Sequence, residues 1–321
     1  MSCCKKSSVN INHIPKKDSI EIREIQKYKR KYDNLPITTI TLNDKSTYTG
    51  NTKDNVLHGW GILKYTNGEE YEGEFVDGKK EGIGIWKDKD GNNYEGFWKN
   101  DRRHNTGVYR SSEGYKFEGV FVNNKRHGVG TSTLPDNTKY ICNYKNDVES
   151  GEAEFFFANG DHALGFIKDG YLDKDGRYEF KNGDIYVGNF KEGQFHGKGY
   201  YKWHNSTPYA IFEGFYKNGK KHGLGKLSCP NGKLLFGNFV NNNMEGEFLE
   251  ISPQGHQTKV LYKNGQFIKS IEKMNEVLDI KECTSDDIII SQIFSDPNVY
   301  KRLYEMERKK KAKVFLKLQR N

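Results

Sequence analysis

No apolar run in this chain of 321 residues reaches even half of the roughly 18 residues that a membrane-spanning helix needs, so none is expected. The opening MSCCKKSSVN lacks the apolar core of a secretory signal, which predicts a cytosolic or cytosol-facing protein. Cysteine is scarce and odd in number. Cys3, Cys4, Cys142, Cys229 and Cys283 follow no metal-ligand spacing and suit a reducing compartment. Hydrophobic residues make up only 34% of the chain, and aromatics take a large share of them. With 20 Tyr, 19 Phe and 34 Gly, little Leu, Ile and Val is left for a thick core, which favours a thin sheet with rings packed over glycines.

Signatures of catalysis are also missing. There is no Gly-x-Ser-x-Gly elbow, no Asp-Phe-Gly and no His-Glu-x-x-His. The His-Gly-x-Gly segments at 58–61, 127–130, 196–199 and 222–225 lack the third glycine of a dinucleotide site, and no glycine segment ends as a P-loop does. His58, His104, His127, His196 and His222 lie about 23 residues or more apart at equivalent slots, too dispersed to converge on one ion, so no metal is expected. Glu72, Glu95, Glu118 and Glu213 recur in the same way, as a solvated face does. The reading is therefore a non-enzyme with no cofactor and no small-molecule substrate.

What the chain does have is a repeat. Units begin at 48, 71, 94, 117, 140, 163 and 186 with a period of 23, then at 212 after a three-residue insertion, then at 235 and 258. The third residue is Gly in eight of ten units, and the fifth is a ring or Ile in nine. Positions one, three and five share a strand face, so that face carries ring, glycine, ring. Turn pairs such as Asp77-Gly78, Asp169-Gly170, Glu192-Gly193 and Asn218-Gly219 divide each unit into two antiparallel strands. About nine full units result, with a half unit at each end. Stacked at roughly 4.8 Å per strand, they would form a ribbon on the order of 90 Å long.

Tyr-Glu-Gly-Glu-Phe, His-Gly-x-Gly and Asp-Gly at this period resemble the MORN (membrane occupation and recognition nexus) repeat over residues 37 to about 267. The resemblance implies an elongated, twisted, all-β antiparallel single sheet that serves as a scaffold or adaptor. Cys142, Ala153, Ala163, Lys174, Asn105, Leu235 and Phe248 depart from the pattern, so the fifth, sixth and ninth units are expected to pack or curve differently.

Three regions are expected: a basic, partly disordered or helical extension over 1–36, the array over 37–267, and a helical extension with a basic tail over 268–321. Of the net charge of +8, residues 301–321 carry +7 and residues 1–36 carry +5, leaving −4 for the rest. The array accordingly shows no basic stripe among its rings, and nucleic acid is not an expected partner.

A single sheet leaves its apolar face to be covered. The rings Trp86, Trp98, Tyr109, Phe121, Phe155, Tyr178, Phe190, Tyr201 and Trp203 are the candidates for holding a protein partner there, either an amphipathic helix or a second copy of the chain. The alternative for each ring is that it merely covers its neighbours' glycines. At the ends, Cys3 and Cys4 beside Lys5 and Lys6, with Lys309, Lys310, Lys311 and Lys313, are candidates for acylation and attachment to anionic lipid. The leading expectation is a scaffold that organises partners on cytoskeletal, cortical or ciliary structures. A peripheral membrane adaptor is the second.

Overall fold

The computed structural model describes residues 28–205 and 208–277, and these residues are almost entirely β. They fall into two compact units that divide after Ala158. The first holds eleven strands, β1 (Ile37–Thr41) through β4 (Glu70–Val76) and β5 (Lys79–Lys87) to β11 (Val148–Phe156), each pairing antiparallel with the next. The second holds ten, β12 (His162–Lys168) through β20 (His256–Lys263) to β21 (Gln266–Val277), in the same meander. Strand β21 continues ten residues past 267, where the repeat grammar stops, and its pairing with β20 shifts register three times. Before β1, residues 28–30 are helical and lead into turns.

Each repeat is a hairpin closed by two residues that both have positive φ, the type I′ geometry whose twist matches that of paired strands. Asp77 and Gly78 have φ of 49° and 80°. In several units an Asn or Asp takes the second place, as in Asn100-Asp101, Asn123-Asn124 and Asn146-Asp147. Within the hairpin β4–β5, Tyr71 faces Trp86 and Gly73 faces Gly84, but Glu74 faces Glu81, so Gly82 and Ile83 form a bulge. The bulge requires a left-handed residue. Gly82, Gly128 and Gly197 supply it, and Asn105 and Lys174 hold the same backbone at φ 59° and 63° without being glycine.

The glycine pair explains how a one-layer sheet keeps a dry interior. A Cβ on Gly84 would lie 2.3 to 2.5 Å from the Tyr71 ring, and one on Gly73 would lie 2.6 Å from the Gly84 Cα. The ring lies flat over both glycines, fully buried, and its hydroxyl donates to the Glu74 carbonyl at 3.2 Å. Fifth-position rings stand edge-on between successive first-position rings: Phe75 contacts Tyr48 and Tyr71, Trp98 contacts Tyr71 and Tyr94, and Phe121 contacts Tyr94 and Phe117. Burying one such ring contributes about 2–3 kcal/mol, so this row of rings is the core.

The departing units pack by other means. In the fifth, Cys142 and Ala153 occupy the glycine places, and the Tyr140 hydroxyl bonds Glu149 Oε1 at 2.7 Å instead of its own strand's carbonyl. Its ring tilts against Phe155 at 32°. In the sixth, Leu172 and Phe190 approach the glycine pair that no first-position ring covers, since Ala163 stands there. In the ninth the ring changes strand. Phe248, which replaces the second glycine, lies over Gly237, 2.5 Å from where its Cβ would be.

The face expected to be solvated is partly buried. Tyr32, ahead of β1, packs its ring edge-on to His58, donates its hydroxyl to Glu74 and leaves that carboxylate 4% exposed. Lys29 and Lys31 pair with Glu72 at 2.8 Å and Glu74 at 2.9 Å. Glu213 is buried against Lys226. These carboxylates serve as anchors, which the repeating Glu slot did not reveal because their partners lie on other strands or outside the array.

Candidate functional site

On the ring face of the first unit lies a groove of about 740 Å³ whose walls include Lys80, Trp86, Trp98, Arg103, Tyr109 and Arg126. The sequence reading assigned no basic stripe to this face, and the structure corrects it. The two-residue turn pairs Phe75 with Lys80, so the tenth position of a repeat comes up beside the fifth-position ring. Lys80, Arg103 and Arg126 occupy that slot in three successive repeats. Each lies over aromatic rings: Lys80 Nζ is 4.9 Å from Tyr65 and Tyr71 and 5.1 Å from Trp98, while the Arg103 guanidinium is 5.3 Å from Phe121 and 5.7 Å from Tyr94 and Tyr109. Arg126 lies 4.7 Å from Tyr144 and 5.6 Å from Phe117.

A local hydrogen bond sets the row. In each of these repeats the second residue of the next turn is Asp or Asn, and it accepts from the slot residue's backbone N–H: Lys80 to Asp101 at 2.9 Å, Arg103 to Asn124 at 2.8 Å, Arg126 to Asp147 at 2.8 Å. In the second unit Lys221 and Asn242 repeat the arrangement at 2.8 Å. Where the slot is apolar, as at Leu57, Leu172, Phe195 and Met244, the facing turn residue is Gly and only the backbone bond to the slot carbonyl remains.

The three cations are unequally satisfied. Arg126 is paired with Asp147 at 3.3 Å and donates to the Tyr115 hydroxyl at 2.8 Å. Lys80 is buried, and burial pulls its ammonium below the ordinary lysine value despite the attraction of Asp101 and Glu69. Arg103 donates to the Asn124 carbonyl at 3.1 Å. Among the described residues neither Lys80 nor Arg103 has a carboxylate within ion-pair distance.

Of the rings singled out from the sequence, Trp98, Phe121, Phe155 and Phe190 are buried. Trp86, Tyr109, Tyr178, Tyr201 and Trp203 are half-buried. Trp86, Trp98, Tyr109 and Phe121 line the groove of the first unit. Trp86 Nε1 donates to Glu69 at 2.9 Å, and the Tyr178 and Tyr201 hydroxyls donate to Asp161 at 2.6 Å and Asp184 at 2.8 Å. In the second unit Trp203 packs against Tyr201 with the two rings tilted by 52°, and it lies beneath Lys221. Cys3, Cys4, Lys5, Lys6, Lys309, Lys310, Lys311 and Lys313 lie outside the described residues, as do the expected C-terminal helices. Among the described residues no cluster of His, Cys, Asp and Glu has the form of a metal site, and no helix is long and apolar enough to cross a membrane.

Comparison with solved structures returns remote likenesses. The TCP domain of SAS-4 from Drosophila melanogaster, solved with a proline-rich motif of Ana2, is 14% identical, with 64% of this chain and 90% of that chain covered and a TM-score of 0.30. BamB from Moraxella catarrhalis is 10% identical over 76% of this chain and 92% of its own, at a TM-score of 0.16. Scores of this size do not establish a common fold. No curated protein matches the sequence significantly. The family model of the MORN repeat, however, matches residues 71–93, 94–114, 117–139, 186–207 and 212–233, in register with the hairpins described above. The chain carries five MORN repeats.

Proposed function

We propose that this protein is a non-enzymatic scaffold that holds a protein partner against the ring face of its repeat array. The groove of the first unit carries the reading. It has half-buried rings along its walls, two cations without carboxylate partners at its base, and no second layer over it among the described residues. An amphipathic helix from a partner, or a second copy of the chain, would bury that surface. Placement on cytoskeletal, cortical or ciliary structures belongs to the same proposal.

A photo-crosslinking amino acid placed at Tyr109 in the full chain tests the groove, with exposed Glu152 as the control site. A discrete protein adduct from position 109 alone is expected, and an adduct of twice the chain's mass would identify a second copy. Equal adducts from both sites, or none from 109, would overturn the reading. Fractionation of the tagged chain tests placement: retention in the detergent-resistant pool is expected. Loss from a membrane pool in the Cys3→Ser, Cys4→Ser variant would instead favour the acylated adaptor.

A further inference from the structure

We infer that the groove of the first unit takes an acidic helix, one whose carboxylates recur every seven residues beside an apolar stripe; this deepens the groove reading above and rests on it. Three observations carry it. Lys80, Arg103 and Arg126 stand two strands apart, a pitch of roughly 9.6 Å. Seven residues of α-helix rise about 10.5 Å and return to nearly the same face, so three carboxylates on one helix can meet three cations in turn. Next, the central cation is unspent. Arg103 sits among rings that align its guanidinium but do not neutralise it, and it has no ion pair among the described residues. A carboxylate would supply the missing charge through a charge-assisted, bidentate pair with the half-buried guanidinium. Finally, one continuous groove serves the whole row: Lys80, Arg103 and Arg126 all line it. Trp86 and Tyr109, both half-buried, would meet the apolar stripe.

The test titrates the full chain against labelled 20-residue helical peptides by fluorescence anisotropy. One carries Leu at 4, 8, 11 and 15 and Glu at 5, 12 and 19. A second has Gln for each Glu, and a third has Lys there. The Glu peptide is expected to bind at least tenfold more tightly than the Gln peptide. Arg103→Gln should remove most of that advantage, and Arg103→Glu should shift preference toward the Lys peptide, a rescue that an unfolded variant cannot show. If the Gln peptide binds as tightly as the Glu peptide, the acidic requirement is overturned while groove binding stands. If no peptide binds, and phosphatidylserine vesicles bind in a manner that needs Arg103, the row serves a membrane surface and both readings fall.

Discussion

The two compact units use one backbone for two surfaces. In the first, the tenth slot of successive repeats holds Lys80, Arg103 and Arg126; in the second it holds Leu172 and Phe195 before Lys221 restores the charge. The Phe195 ring stacks on Tyr186 at 3.7 Å and so fills space that the first unit leaves to a cation. The turn residue facing the slot changes with it, Asp or Asn opposite a cation and Gly opposite an apolar side chain. In a repeat protein, then, the glycine and ring positions hold the sheet together, and the slot beside each turn is free to vary in chemistry.

The comparison breaks first at its shared foundation. Tyr71→Ala should cost about 4 kcal/mol in chemical denaturation, because it uncovers a glycine pair and removes one of the two edge-on partners of both Phe75 and Trp98. Gly84→Val should cost about 3 kcal/mol, since its Cβ would lie within the Tyr71 ring and neither can retreat. Replacing a glycine where nothing lies within 4 Å, as at Gly151, tests backbone strain alone and should cost about 1 kcal/mol. In the second unit, Lys174→Gly should stabilise by about 1 kcal/mol, because a left-handed lysine carries a Cβ penalty that glycine lacks. Thermal unfolding of the variant would reveal the gain.

The fifth unit offers a chemical handle on its altered packing. Burial pushes the Cys142 thiol up to about 12, from an ordinary value near 9. Ionising it costs folding energy, so its contribution to stability is intact below pH 9 and is lost as pH rises from there to about 12. Iodoacetamide at pH 8 should therefore alkylate the half-buried Cys229 well before Cys142, and Cys142 should react only as the chain unfolds. Equal labelling rates would show that the fifth unit opens locally.

The period of 23 and the glycine and ring positions were legible because both follow from elementary constraints: tight turns demand positive φ, and two facing strands can accept a flat ring only where both lack a Cβ. The Asp-Gly turn pairs marked the hairpins for the same reason. Asn105 and Lys174 read as breaks, yet their backbones keep the bulge, since the pairing on either side fixes φ whatever the side chain prefers. The cation row was present in the text as Lys80, Arg103 and Arg126 at intervals of 23. It went unseen because its face is set by the pairing of Phe75 with Lys80 across the turn, not by alternation along one strand.

The sequence by itself determined the hairpin unit, its length and the ring-over-glycine core, all of which are local in the chain and repeated often enough to identify themselves. Only the tertiary structure decided which rings remain partly open, where Tyr32 seals Glu74, and that Lys80 and Arg103 stand over aromatic rings without a carboxylate. Those outcomes depend on contacts between residues 9 to 42 positions apart, whose geometry the pairing of strands fixes and the repeat pattern does not encode.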